Sequence, residues 1–500
     1  MRRRRQRMVR AEHVMDINGA SIMIESIPLN ERQARLGTAG LPSQDTERFL
    51  QAVQAWEALP AGGPLDRDLP LIQAVCGQGW QLLARLPLKS ERDTNQKDVA
   101  HVITQLMADA SWRFFRHHAH ALYRDLTDNG RKPLRADELA WKAAARLPGV
   151  LPSEEELREE SERLQKDKDG LEINQGLFFS HLFTDRAIGS HLLRAMLRPL
   201  PQSFEYLDEF RKTGRLQLDK ALVEVKGQAG FLTFQNLRYL NAEDDTTMVP
   251  FELATDLILM HPDLRMGVMR GGVVDHPKYA GRRVFSAGIN LTHIYRGKKS
   301  YLGFLTKNLG FFNKVHRGIV PPGPDSLDVP LDEPENTIEK PWAAVVETFA
   351  IGGGCQLLLV ADYVIAESGS FFSLPARKEG IIPGLANLRL PRFTGEALAR
   401  QAIMFDKLFK VDTPEGRTVV SEVVPPDQIE AAVARCAANA TGAGMVSISA
   451  NRKALRAQAE PIEALRQYMV TYAKEQAFCH LSEDLINNLE KNWNAKERKL

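Results

Sequence analysis

Three consecutive glycines, Gly352-Gly353-Gly354, stand between an apolar run at Ala343–Val346 and a helical pattern over Cys355–Ala361. A strand that passes into a helix through glycines lets a ligand approach the backbone closely, and the first N–H groups of such a helix lack intrahelical acceptors. The segment Ala350–Gln356 is therefore a candidate cradle for negative charge. Alone it is weak, because a glycine-rich turn into a helix is usually only a tight connection. A second such turn precedes it, Phe285-Ser286-Ala287-Gly288-Ile289-Asn290-Leu291. Around the two turns, strand and helix patterns alternate. Ala221–Phe234 reads as two strands around Gly227–Gly230, Asp245–Met260 as a helix, and Arg265–Arg270, Ala343–Val346 and Tyr363–Ala366 as further strands. Alternation of this kind predicts parallel pairing and an α/β core.

The chain before Gly214 reads differently. Apolar residues recur at helical spacing over Thr46–Leu59, Asp68–Leu86 and Asp98–Leu126, and strand signals are scarce. Pro152-Ser153-Glu154-Glu155-Glu156 opens a helix with Ser153 as N-cap and acids in the first turn. Leu177–Leu197 reads as one amphipathic helix that closes at Pro199. His117, His118 and His120 lie close together but within an Arg- and Phe-rich helix, so they read as surface or packing residues rather than metal ligands. From Pro461 to Leu500 the pattern is again helical and charged. Gly318–Lys340 is dense in Pro, Asp and Glu and reads as a surface insertion. A chain of 500 residues exceeds one ordinary core. The expected division is a helical N-terminal domain over 1–215 with a disordered start over 1–25, an α/β core over 216–450, and a C-terminal helical segment over 451–500.

Charge is nearly balanced, at +2, so bulk electrostatics point to neither nucleic acid nor a membrane as partner. No apolar stretch approaches the roughly 20 residues that cross a bilayer. Cys76, Cys355, Cys436 and Cys479 have neither metal-ligand nor redox spacing and read as reduced thiols of a cytoplasmic protein. Arg2–Arg5 reads as part of a solvated tail, with contact to polyanions as the alternative.

Together, the two glycine turns resemble the oxyanion turns of the crotonase (enoyl-CoA hydratase/isomerase) superfamily, over about Ala221–Asn451. That resemblance implies a spiral of ββα units flanked by helical N- and C-terminal regions, and subunits assembled as trimers or hexamers. It implies that the N–H groups of Ile289 and Gly353 bind a thioester oxygen of an acyl-coenzyme A substrate. Removing one such donor typically costs about 3 kcal/mol of transition-state stabilisation. A third family landmark appears as Pro375-Ala376-Arg377-Lys378-Glu379-Gly380-Ile381-Ile382-Pro383-Gly384.

The departures from the family pattern carry more than the match. Hydratases of the superfamily place glutamate where this chain has Gln356 and again where it has Ala376. Hydration needs a base for water and an acid for the α-carbon, and neither an amide nor a methyl group supplies them. Enolate stabilisation survives. Asn241-Ala242-Glu243-Asp244, His276-Pro277-Lys278-Tyr279, Gly281–Leu291 and Lys378–Gly384 are similar to the branch of cofactor-independent arylacetyl-CoA dioxygenases, and the similarity extends back to about Leu171. It implies conversion of an arylacetyl-CoA, such as 3,5-dihydroxyphenylacetyl-CoA, and dioxygen to the arylglyoxylate and free coenzyme A. The setting it implies is glycopeptide-antibiotic biosynthesis, with no metal or organic cofactor.

On that resemblance Ile289, Gly353 and Gln356 are the catalytic residues. Glu243, His276, Ala287, Gly288, Asn290, Leu291 and Gly354 contact substrate, Ile381 and Ile382 line an oxygen pocket, and Lys278, Arg282 and Arg283 face the coenzyme A phosphates. From the residues alone, Ile381 and Ile382 read equally as core isoleucines, Glu243 as a surface ion pair, His276 as a solvated loop residue, and the basic trio as exposed loop charges. Two other functions stay open: another crotonase reaction (thioester hydrolysis, isomerisation or decarboxylation), or acyl-CoA binding without catalysis.

Overall fold

The computed structural model describes residues 14–15, 21–22, 29–60, 62–321, 336–442 and 444–500. Most of the expected disordered start over 1–25, and the middle of the Pro- and Asp-rich stretch, therefore lie outside the described residues.

Helices fill the first part of the chain. The longest, α1 (Thr94–Leu126), is started by a reciprocal cap in which the Asp93 carboxylate accepts from the Gln96 N–H at 2.8 Å and Gln96 returns a bond to the Asp93 N–H. Ser153 caps the helix Glu154–Glu160 in the same way, as its sequence context predicts. The single helix expected over Leu177–Leu197 is two, α2 (Ile173–Thr184) and Arg186–Ala195. The break is Asp185, whose carboxylate accepts from the Ile188 N–H at 2.9 Å and so starts a new helix where periodicity alone runs on. His118 is buried against Asp68 at 2.8 Å, and His120 bonds the His181 carbonyl at 2.7 Å, so both are packing residues.

The α/β part is built on two sheets. In the larger, β1 (Arg215–Leu218), β2 (Ala221–Lys226) and β3 (Ala229–Phe234) form an antiparallel meander. Beyond it β4 (Met266–Gly271), β5 (Trp342–Val346), β7 (Tyr363–Glu367) and β10 (Glu422–Val424) add in parallel, giving the order β10-β7-β5-β4-β3-β2-β1. The smaller sheet places β8 (Phe371–Ser373) between β6 (Phe349–Ile351), to which it is parallel, and β9 (Phe409–Lys410). Strand pairs feed helices: β2 and β3 lead to α3 (Asp245–Met260), and β5 and β6 lead to α5 (Gly353–Leu358). Between them in the chain lies α4 (Tyr301–Leu309). This is the ββα repeat of the expected spiral.

The end of the chain returns to its beginning. Helix α7 (Ile462–Leu481) packs on α2, and its Leu465, Met469, Tyr472, Ala473, Ala477, Phe478 and Leu481 belong to the same apolar core as Phe114, Phe178 and Phe179. Gly176 marks the closest approach, since a β-carbon there would lie 2.9 Å from the Ala473 carbonyl oxygen. The described end of the acidic stretch is not surface: Glu339 is buried and accepts from Arg452 at 3.2 Å and Arg456 at 2.9 Å, while Lys340 is capped by the carbonyls of Ile258 and His261.

Candidate functional site

The two glycine turns meet. Gly288 has φ +79° and a β-carbon on it would lie 2.8 Å from the Ile351 carbonyl oxygen, while one on Gly352, at φ +52°, would lie 3.9 Å from the Ile289 nitrogen. Only glycine combines these angles with this approach. The first turn is held by a bridge to the preceding loop: Glu243 N–H donates to the Gly288 carbonyl at 2.7 Å and Asn290 N–H to the Glu243 carbonyl at 2.7 Å. The Ile289 N–H between them is left over. Gly353 begins α5, and its N–H is unpaired by the rule of helix starts. Neither N–H donates to a backbone or side-chain acceptor among the described residues. Two unengaged donors on adjoining turns are the kind of arrangement that can bind a developing oxyanion.

Ile289, Gly352, Gly353 and Gln356 line one small cavity with Phe304, Lys307, Leu374, Ala376, Glu379, Ile381, Ile382 and Tyr472. Its free space is about 20 Å³, enough for one water-sized molecule. A larger cavity of about 420 Å³ lies among Trp80, Leu83, Arg92 and Glu160 in the helical region. Neither glycine turn reaches it.

Glu243 lies directly over Gly353, its carboxylate in the space a β-carbon on that glycine would fill. It pairs with Lys307 at 3.1 Å, and Lys307 also donates to the Gln356 Oε1 at 3.4 Å. Both charges are almost wholly buried, and Glu243 Oε1 has no hydrogen-bond partner. Glu379, on the single-turn helix α6 (Ala376–Glu379), is 4% exposed and its carboxyl has no hydrogen bond among the described residues. Burial pushes its pKa up to about 8; Lys307 pulls it down, and Glu243 and Asp406 add to the rise. Burial likewise pushes the Cys355 thiol up, which makes it a packed side chain and no nucleophile at neutral pH.

The structure thus brings together Ile289, Gly353, Gln356, Ile381, Ile382 and Glu243. Leu291 packs behind them with Ile289, Phe304 and Ile381. Ala287 lies half-buried against Val274 and Phe349, and Gly354 presses on the Ser286 side chain. Asn290 is turned to structure: it donates to Asp244 at 2.9 Å and accepts from the His293 N–H at 3.2 Å. His276 sits apart on a loop, accepting from the Lys278 N–H at 3.2 Å. The basic trio takes separate partners: Lys278 stands over the Tyr279 ring, Arg282 pairs with Glu367 at 3.1 Å, and Arg283 donates to the Gly271 carbonyl at 3.0 Å.

Lys307 and Tyr472 were invisible in the sequence. Lys307 is one cation in a short amphipathic helix, and Tyr472 arrives from α7 at the far end of the chain. Glu379 carried no distinct signal either, since it follows Arg377 and Lys378 in one charged run of the third landmark. Among the described residues no group of three or more His, Cys, Asp or Glu side chains is placed to share a metal ion, and no helix is long and apolar enough to cross a membrane.

The sequence model of the enoyl-CoA hydratase/isomerase family matches residues 334–491. The (3,5-dihydroxyphenyl)acetyl-CoA 1,2-dioxygenase of Amycolatopsis orientalis is 40% identical over 410 residues, which cover 82% of this chain and 92% of that protein. A probable enoyl-CoA hydratase of Rhizobium meliloti (strain 1021) is 28% identical over 217 residues, 43% of this chain and 72% of that protein. Among solved structures, an enoyl-CoA hydratase from Mycobacterium avium subsp. paratuberculosis K-10 superposes with a TM-score of 0.45 at 17% identity, covering 57% of this chain and 100% of its own.

Proposed function

The chain belongs to the enoyl-CoA hydratase/isomerase (crotonase) superfamily, and from that membership we propose that it is a dioxygenase acting on an arylacetyl thioester of coenzyme A, with 3,5-dihydroxyphenylacetyl-CoA as substrate. The observation that carries this reading is the pair of unengaged donors, Ile289 N–H and Gly353 N–H, beside a cavity where Gln356 and Ala376 stand in place of the carboxylates that hydration needs. The site keeps the means to hold an enolate and lacks the means to add water in the hydratase manner.

The chemistry follows from the substrate. The α-carbon of an arylacetyl thioester is acidic because ring and carbonyl both spread the charge. Loss of one α-proton moves the C–H electron pair into the C=C bond of the enolate, and the carbonyl pair onto the oxygen held by Ile289 and Gly353. The electron-rich enolate gives an electron to dioxygen and the two combine at the α-carbon as a peroxide. The peroxide oxygen attacks the thioester carbonyl, the C–S bond breaks, and the second α-proton leaves as the O–O bond opens. The sum balances as ArCH2CO–SCoA + O2 giving ArCO–COO⁻, CoA–SH and H⁺. Ile289, Ile381, Ile382, Leu374 and Phe304 keep the reacting carbon dry, which protects the enolate from water. Glu243 Oε1, buried without a donor, suits a phenolic hydroxyl of the aryl group.

The reaction runs without a metal or organic cofactor, since the substrate carbanion itself reduces dioxygen. Assembly as trimers paired into hexamers fits the apolar surface at the end of helix Ala386–Phe405, where Met404, Phe405 and Leu408 are exposed. A cytoplasmic setting and a role in antibiotic biosynthesis complete the reading. The test is incubation with 3,5-dihydroxyphenylacetyl-CoA in chelator-treated buffer, in air and under nitrogen, following free thiol and the keto acid. Both products in air and neither under nitrogen are expected. Thiol release that proceeds equally under nitrogen would instead make it a thioester hydrolase.

A further inference from the structure

We propose that Glu379 is the general base that removes the α-protons of the acyl thioester. This rests on the acyl-CoA reading of the site. Ala376 and Glu379 stand three residues apart on α6, one turn of helix, and both line the cavity that holds Ile289 and Gly353. Ala376 occupies the hydratase carboxylate position with a methyl group. The carboxyl function is thus moved one helical turn onward, facing the same cavity. The end of α6 is fixed, because Gly380 has φ +84° and a β-carbon there would lie 3.0 Å from the Leu485 Cα.

A structural carboxylate buried this deeply is normally paired, because an unpaired buried charge is costly. Glu243 obeys that rule through Lys307, and Glu379 does not. The charged groups that act on it are Lys307 on α4, Glu243 over Gly353 and Asp406 after helix Ala386–Phe405, and the Tyr472 hydroxyl on α7, an acceptor for Asn308 at 2.9 Å, lines the same cavity. Desolvation leads their combined effect and brings the acid's pKa to about 8, close to working pH, where a base both takes and gives up a proton readily. The balanced reaction demands such a group, because two protons leave the same carbon in turn. In the first step the Glu379 carboxylate accepts the α-proton and becomes the carboxylic acid, while the enolate oxygen takes the negative charge between Ile289 and Gly353. It must release that proton before the second leaves.

Proton removal is measured without oxygen. Arylacetyl-CoA in D2O under nitrogen is followed by NMR for loss of the α-hydrogen signal, in the wild type, Glu379→Gln and Glu379→Asp. The wild type is expected to exchange with a rate that rises through an inflexion near pH 8. Glu379→Gln is expected to exchange at least about 100-fold more slowly and without the inflexion, and to bind the thioester with a Kd within a few-fold of wild type. Glu379→Asp should fall between them and keep an inflexion. Exchange by Glu379→Gln within threefold of wild type, or no exchange by the wild type, overturns the proposal. Exchange by the wild type without dioxygen uptake in air would sink the oxygenase reading and leave Glu379 as base.

Discussion

The Glu243 carboxylate occupies the place where a β-carbon on Gly353 would stand. Gly353 therefore combines two features: its N–H is unengaged at the start of α5, and its missing side chain makes room for the carboxylate that Lys307 holds. Gly353→Ala is expected to drive Glu243 off Lys307 and distort the donor pair. Thiol release from the arylacetyl thioester should fall roughly 100-fold or more while circular dichroism is unchanged. A rate within tenfold of wild type would mean that the contact is incidental.

The Glu243–Lys307 pair is buried, and Glu243 already has one oxygen without a partner. Replacing Lys307 by Met removes the only cation bonded to that carboxylate among the described residues, at an expected loss of about 3–5 kcal/mol of stability by urea unfolding. Adding Glu243→Gln should recover most of it, because the stranded charge is gone. A double variant no more stable than Lys307→Met would show that the two groups do not act as a pair.

Hydration offers a third test. With Gln356 and Ala376 at the hydratase positions, the wild type should hydrate crotonyl-CoA negligibly. Restoring Glu at both is expected to raise hydration slightly and to depress oxygenation, since a carboxylate there draws water towards the enolate. Acyl-CoA binding should persist, because the N–H donors are unchanged. Brisk hydration by the wild type would contradict the mechanism and leave the fold untouched.

Acid should unfold the protein partly through Glu460. It is fully buried and accepts from Arg389 at 2.9 Å, Arg392 at 2.7 Å and Arg317 at 3.3 Å. Burial opposes its charge, but the guanidinium groups, Arg389 foremost, and His316 hold its pKa well below the usual carboxylate range. A depressed native pKa contributes stability that is full above the unfolded value of about 4.3 and is lost as pH falls through the native one. Glu460→Gln should be clearly less stable than wild type at pH 7, and the gap should narrow below pH 4. A gap that is constant from pH 7 to pH 3 would rule the charge out.

What could be read from the sequence was written in backbone demands. Gly288 and Gly352 adopt positive φ and touch the opposite turn, so no other residue type fits, and the turns announce themselves. Gln356 and Ala376 were legible as departures from a known spacing. Lys307 was not, because a lysine on an amphipathic helix reads as a solvated residue until a partner such as Glu243 is seen across 3.1 Å. The separate partners of Lys278, Arg282 and Arg283 were no more legible, since closeness along a loop does not say what each side chain will meet. Asp185 split a helix that periodicity joined, because its carboxylate offers the Ile188 N–H a local alternative. Parallel pairing was implied by alternation, but the return of α7 to the N-terminal helices is a long-range contact with no local trace.

That return sets a timetable for synthesis. Tyr472 of α7 lines the cavity of Ile289 and Gly353, Gln476 accepts from the Ile382 N–H at 3.0 Å, and the same helix completes the core around Phe178 and Phe179. A nascent chain on the ribosome is expected to form the meander and both glycine turns first, with an apolar seam open on its first helices until α7 emerges. On the proposed function, competence for chemistry is expected to arrive together with the last long helix, because a chain released before it has both glycine turns without the Tyr472 and Gln476 contacts that close the cavity.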